Sequence, residues 1–211
     1  IQKENQAFFT MWVHEIKLPL STLQLALEEE ESNKLVLQSQ LIKMNQLVDM
    51  MLMYAKQKDN QQDLVIREVK LDHIIRQSVQ QLRPLFILNH ISLELSEIKQ
   101  SVLTDNKWLT FIINQILSNA IKYSPHGKIY EQNQELIIED DGYGISQEDL
   151  PRVFEAGYTG QNGHQGQYSS GYGLYLVSLI SHQLNHPIVI ESMVGKGTKV
   201  HICFENKKVL L

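Results

Sequence analysis

The chain of 211 residues contains a single cysteine, Cys203. No internal disulfide can form, so the composition suits a reducing compartment. No stretch approaches the roughly 18–20 uninterrupted apolar residues that a bilayer-spanning helix needs, and no signal peptide is visible. An excess of basic residues is also missing: 19 Lys and Arg stand against 24 Asp and Glu, a formal net charge of -5. A nucleic-acid binder normally carries a basic stripe for phosphates, so that class is disfavoured. What remains is an ordinary globular composition, 43% hydrophobic and 20% charged. The chain opens at Ile1 rather than Met and runs straight into helical pattern. The expectation is a fragment whose membrane part lies upstream.

Residues 5 to about 57 carry a helical period. Phe9, Val13, Ile16, Leu20, Leu23 and Leu27 are spaced by four and three, and Leu37, Leu41, Met44, Val48, Met51 and Ala55 repeat the spacing. Two stripes joined near Glu31-Ser32-Asn33 predict an antiparallel helical hairpin. A lone hairpin cannot bury both stripes, so pairing with a second copy into a four-helix bundle is expected. The polar segment QKDNQQD at 57–63 ends the period and marks a boundary.

Alternating elements follow. Strands are predicted at Leu64–Val69, Ile91–Ser96, Ser101–Thr104, Ile129–Tyr130, Glu135–Asp140, Ile188–Ser192 and Thr198–Phe204. Helices are predicted at Leu71–Asn89, Asp105–Tyr123 and Tyr172–Gln183. A long stretch rich in Gly, Gln, Ser and Tyr fills 142–172, a length that usually marks a functional lid. The pattern points to a two-layer α/β sandwich.

The run FFTMWVHEIKLPL at 8–20 holds the first chemistry. His14 follows Val13 and so projects from the flank of the apolar stripe. A carboxylate at Glu15 can orient the proton on one imidazole nitrogen and leave the other free to attack. Pro19 removes the amide that would bond the Glu15 carbonyl. On these residues alone, a surface histidine beside a bend is the commoner situation, and a nucleophile is the other reading.

The run resembles the H-box of sensor histidine kinases at Phe9, His14, Glu15, Ile16, Lys17, Pro19 and Leu20. The family often has Thr or Asn four residues after the histidine, a residue associated with dephosphorylating the partner regulator. Here it is Leu18, which cannot hydrogen-bond water, so weak phosphatase activity is expected.

Further motifs resemble the nucleotide site shared by histidine kinases, DNA gyrase, Hsp90 and MutL. The segment QILSNAIKYS at 115–124 is similar to the N-box, with Gln115, Asn119 and Lys122 on one helix face. The resemblance implies Asn119 as a Mg²⁺ ligand, with Lys122 and Tyr123 near phosphates. Gln115 replaces the glutamate that activates water in the hydrolytic relatives, and an amide is no general base. The segment DDGYGI at 140–145 is similar to the G1 box, in which Asp140 accepts from adenine and Gly142 and Gly144 admit a close backbone approach. Phe154 matches the F-box, and GYGL at 171–174 matches the G2 box, with Gly171, Gly173 and Leu174 at a helix start that suits phosphate. GKGT at 195–198 resembles the G3 box and carries Thr198.

The resemblance covers essentially the whole chain. It implies a dimerisation and phosphoacceptor domain at 1–58, a linker at 59–63 and a catalytic ATP-binding domain at 64–211. The implied activity is autophosphorylation of His14 from ATP and Mg²⁺, then transfer to an aspartate of a response regulator. The implied partners are a second copy and that regulator. The lid wording FEAGYTGQNG and the Trp-Val-His of the H-box are similar to the bacitracin-sensing, transporter-linked subgroup of Gram-positive kinases. That adds an ABC-type peptide-detoxification transporter as partner and the cytoplasmic side of the cell membrane as location.

Overall fold

A computed structural model of the chain describes residues 2–28, 33–58, 64–160 and 170–204. The chain divides into two compact units, residues 1–62 with 152–176 and residues 63–151 with 177–211.

The first unit is built on two helices, α1 (Gln2–Glu28) and α2 (Lys34–Lys58). Asn33 opens α2: its side-chain oxygen accepts from the Leu35 N–H at 3.0 Å and its carbonyl from the Leu37 N–H at 3.1 Å. The first bond fills a donor that the opening turn otherwise leaves orphaned, and the second is the first rung of the helix ladder. The turn itself, at 29–32, lies outside the described residues. Pro19 is buried inside α1, which continues through it.

At the seam between the helices Phe8 meets Tyr54 and Trp12 meets Leu47, and Ala26, Ser39, Gln40 and Met50 are buried as well. Phe8 stacks on Tyr54 with centroids 3.7 Å apart and planes at 12°, and the Trp12 indole N–H donates to the Leu47 carbonyl at 2.8 Å. The stripe read from the sequence is a neighbouring face, because one residue along a helix rotates the side chain by about 100°. Phe9, Val13, Leu20 and Leu27 on α1, with Leu41 and Val48 on α2, stay 44–69% exposed in one copy.

The second unit pairs β1 (Arg67–Lys70) with β3 (Ser101–Thr104) in a two-stranded antiparallel sheet. A five-stranded sheet runs in the order β2-β4-β5-β7-β6, from β2 (Ser92–Leu95), β4 (His126–Gln132), β5 (Glu135–Asp140), β6 (Ile188–Met193) and β7 (Gly197–Cys203). Only β2 and β4 are parallel, and the crossover between them contains β3 and α4 (Asn106–Tyr123). Helix α3 (Leu71–Leu88) buries Leu71, Ile74, Ile75, Ser78, Leu82, Leu85 and Phe86, the period of one apolar face. Helix α4 buries Leu109, Ile112, Ile113, Ile116 and Leu117. Fully buried Ile129, Leu136 and Ile202 supply the sheet's side of the core. Helix α5 (Gly173–Leu184) starts in the first unit and ends in the second.

The expected sandwich is present, with two strand limits corrected. β1 begins at Arg67 rather than Leu64, because the Val65 N–H leaves the ladder to donate to the Asp105 carboxylate at 2.9 Å. The same Asp105 caps α4 through the N–H groups of Lys107 and Trp108. β4 is longer than Ile129–Tyr130, because its parallel pairing with β2 already starts at Ser92 and His126.

Candidate functional site

In the second unit, the end of β5 meets β7 in register at Asp140 and Thr198. The Asp140 carboxylate accepts from the Gly142 N–H at 2.9 Å. Burial pushes Asp140 up to about 6, against the lowering effect of the Gly142 and Thr198 backbone bonds, and the charges of Asp141 and Glu139 add to the rise. Such an acceptor suits a ligand that brings a hydrogen-bond donor.

The glycines here are filled by the chain's own backbone. A Cβ on Gly142 would lie 2.4 Å from the Tyr123 carbonyl oxygen. At Gly197, with φ +93, a Cβ would lie 1.9 Å from the Asp140 carbonyl oxygen. The sequence reading gives Gly142 and Gly144 a close approach to a ligand base. The close approach seen at both is to protein backbone, Gly144 meeting the Met193 carbonyl. These contacts hold the end of α4 and the turn after β6 tightly around the strand end.

Asn119, Lys122 and Tyr123 sit half-buried on the last turns of α4, with Gln115 one turn earlier. Lys122 Nζ lies 5.4 Å from the Tyr123 ring centroid. Among the described residues no cluster of His, Cys, Asp and Glu could hold a metal by itself. A lone amide oxygen on Asn119 fits a cation that arrives with phosphates, as Mg²⁺ commonly does. The residues present therefore fit a nucleotide and its metal.

In the first unit, His14 is exposed on the face of α1 that also carries Gln6, Ala7, Thr10 and Met11. Glu15 is half-buried beside it, and Leu18 is exposed one turn on. Phe154, Gly171, Gly173 and Leu174 belong to this unit as well. The Gly171 carbonyl accepts from the Gly157 N–H at 3.1 Å. The neighbouring Tyr172 is buried, edge-on to Phe8 at 4.9 Å and to Tyr54 at 6.4 Å. The expected lid falls partly on 161–169, outside the described residues.

Residues 104–208 match the family of Histidine kinase-, DNA gyrase B-, and HSP90-like ATPases. The sensor protein kinase GraS of Staphylococcus aureus is 34% identical over 209 residues, covering 95% of this chain and 60% of GraS. The sensor histidine kinase GraS of Staphylococcus epidermidis is 31% identical over 218 residues, covering 99% and 63%. The chain belongs to the sensor histidine kinases. It spans about three-fifths of the length of these relatives. Two solved structures share the fold. The Acinetobacter baumannii histidine kinase AdeS aligns with a TM-score of 0.60 at 21% identity, over 92% of this chain and 98% of its own. A mycobacterial sensor histidine kinase, MprB, gives 0.55 at 24% identity, over 65% and 95%.

Two groups around this strand end escape a sequence reading. Ser192 on β6 accepts from the Ile145 N–H at 2.8 Å, donates to the Gly197 carbonyl at 2.9 Å, and lies 2.9 Å from the Thr198 hydroxyl. It ties the turn after β5 to the turn before β7. Ser124, His126 and Asp141 form a second tie. Neither has a motif of its own, although Asp141 lies inside DDGYGI and Ser124 closes QILSNAIKYS.

Proposed function

We propose that the chain phosphorylates its own His14 from ATP and passes the phosphoryl group to an aspartate of a response regulator. The observation that carries this reading is the presence, in one sensor histidine kinase chain, of an exposed histidine on a helical hairpin and a half-buried carboxylate at a glycine-lined strand end. Asp140 accepts a hydrogen bond from the adenine amino group, and Thr198 supports it. Gly142 and Gly144 shape the turn that faces the base. Asn119 offers an amide oxygen to Mg²⁺, and Lys122 and Tyr123 approach the phosphates. Phe154 anchors the start of the lid segment, while Gly171, Gly173 and Leu174 present free amides at the start of α5.

One imidazole nitrogen of His14 forms the new N–P bond as the bond to the departing ADP oxygen breaks. Glu15 orients the proton on the other nitrogen. Mg²⁺, when bound, offsets charge on the phosphates. Gln115 offers no base to water, which favours the protein acceptor. The phosphoacceptor domain occupies 1–58 and the catalytic domain 64–211, with 59–63 between them and outside the described residues. The exposed stripe of Phe9, Val13, Leu20, Leu41 and Val48 suits a second copy. No helix among the described residues is long and apolar enough to cross a membrane. A location at the cytoplasmic face, with a transporter as partner of a membrane part, rests on the likeness to the transporter-linked subgroup.

With γ-labelled ATP, the protein itself gains acid-labile, base-stable label. Rapid release of free phosphate from unlabelled protein would contradict the reading. Leu18 makes the reverse reaction slow, so Leu18→Thr speeds dephosphorylation of the phosphorylated regulator. Brisk dephosphorylation by the unaltered chain would sink that part.

A further inference from the structure

The register between β4 and β5 ends at the pair Gly127 and Asp140, and one backbone bond continues past it, from the Asp141 N–H to the His126 carbonyl at 3.4 Å. At that point Ser124, His126 and Asp141 knot together. The Ser124 N–H donates to the Ala120 carbonyl at 3.0 Å and closes α4. The Ser124 hydroxyl contacts the Asp141 carboxylate and also lies 2.7 Å from the His126 carbonyl. It has one proton for two acceptors, and the charged carboxylate is the stronger one. The hydroxyl oxygen in turn accepts from the His126 and Asp141 N–H groups at 3.1 and 3.2 Å. Asp141 also accepts from the His126 N–H at 3.1 Å and lies 2.8 Å from His126 Nδ1. The Ser124 hydroxyl, and after it His126, hold the Asp141 carboxyl below the usual carboxylate range, so the acceptor stays ionised near neutral pH.

The knot sits where two proposed binding segments cross. Tyr123 precedes Ser124, and its carbonyl fills the space that a side chain on Gly142 would take. Asp140 precedes Asp141. The sheet and the buried face of α4 fix the fold without this cluster, whose Asp141 and His126 side chains are 54% and 64% exposed. What the cluster adds is the angle at which the last turn of α4 meets the strand end.

We propose that Asp141 is a positioning residue for nucleotide binding, clamping Ser124 and His126 so that Asn119, Lys122 and Asp140 face one ligand in a fixed relation. This rests on the ATP-binding reading above. The Ser124 contact carries most of the effect, and the exposed His126 pair carries less, because solvent screens it.

The test measures binding of a fluorescent ATP analogue with Mg²⁺, and the rate of autophosphorylation at saturating ATP, on the whole chain. Asp141→Ala weakens binding about ten- to a hundredfold, the loss of one or two charge-assisted hydrogen bonds. The saturated rate stays within about threefold, since His14 is untouched. Ser124→Ala follows with a smaller loss, and His126→Gln with the least. Asp141→Asn, which keeps the acceptor oxygen, restores most of the affinity. Equal binding by Asp141→Ala and the unaltered chain overturns the proposal. So does a loss of saturated rate with affinity unchanged, or failure of Asp141→Asn to recover affinity. If Asp141→Ala does not fold, Ser124→Ala decides by the same readings. No binding by the unaltered chain would instead overturn the ATP reading itself.

Discussion

Around Asp140 backbone meets backbone, while around His14 side chains meet side chains. The strand end is enclosed by carbonyls of Tyr123, Met193 and Asp140 pressed into three glycine positions, and by serine hydroxyls bridging neighbouring turns. The hairpin is held by one aromatic stack, one indole bond and a buried tyrosine, with an apolar face left open. The first region tolerates almost no added volume at these glycines. The second buries its seam yet exposes its flank, which is how a surface made for other surfaces is built. The proposed nucleotide site and the proposed docking face thus use opposite packing in one chain.

The sharpest way to break this contrast is Gly197→Ala. With φ +93 and 1.9 Å to the Asp140 carbonyl, it combines backbone strain with overlap, costing about 2–6 kcal/mol. Thermal unfolding would read it, and ATP binding should be lost with it. A melting point equal to that of the unaltered chain would show that the strand end is looser than described.

The open flank predicts the next largest effect. Val48→Glu places charge on the exposed stripe, leaves each hairpin folded and weakens self-association about tenfold or more, as seen by light scattering. Unchanged dimerisation would place the interface elsewhere.

A smaller effect follows from Asp140. Its carboxyl is raised to about 6, so protonation begins within the working range of pH. For a raised carboxyl the contribution to stability is full below the ordinary value and lost as pH rises through about 6. Affinity for the adenine donor runs the other way, falling by up to about tenfold per unit as pH drops below 6. Titrating the binding of a fluorescent ATP analogue checks this, and Asp140→Asn should flatten the profile.

Much of this was legible in the sequence, for physical reasons. Leu71 to Phe86 on α3 and Trp108 to Ile121 on α4 repeat at helical spacing, so both helices stand out. The motif at Asp140 and the glycines near Thr198 is legible because close backbone approach restricts residue choice. The hairpin seam was not. Phe8 and Phe9, or Trp12 and Val13, are adjacent and equally apolar, so periodicity cannot say which face closes the hairpin and which stays open. Ser192 and the knot of Ser124, His126 and Asp141 were hidden as well, since ordinary polar residues acquire their role here from partners up to 47 positions away. The start of β4 at His126 escaped because its pairing with β2 is set by distant chain.

The central claim is that the open platform carries the acceptor for what the closed pocket binds. It is tested most directly by mapping the phosphorylated residue after incubation with ATP and Mg²⁺, beside a His14→Gln chain that still binds the nucleotide. The account predicts acid-labile phosphate on His14 alone and none on His14→Gln. Undiminished labelling of His14→Gln, with the phosphate on another residue, would contradict it.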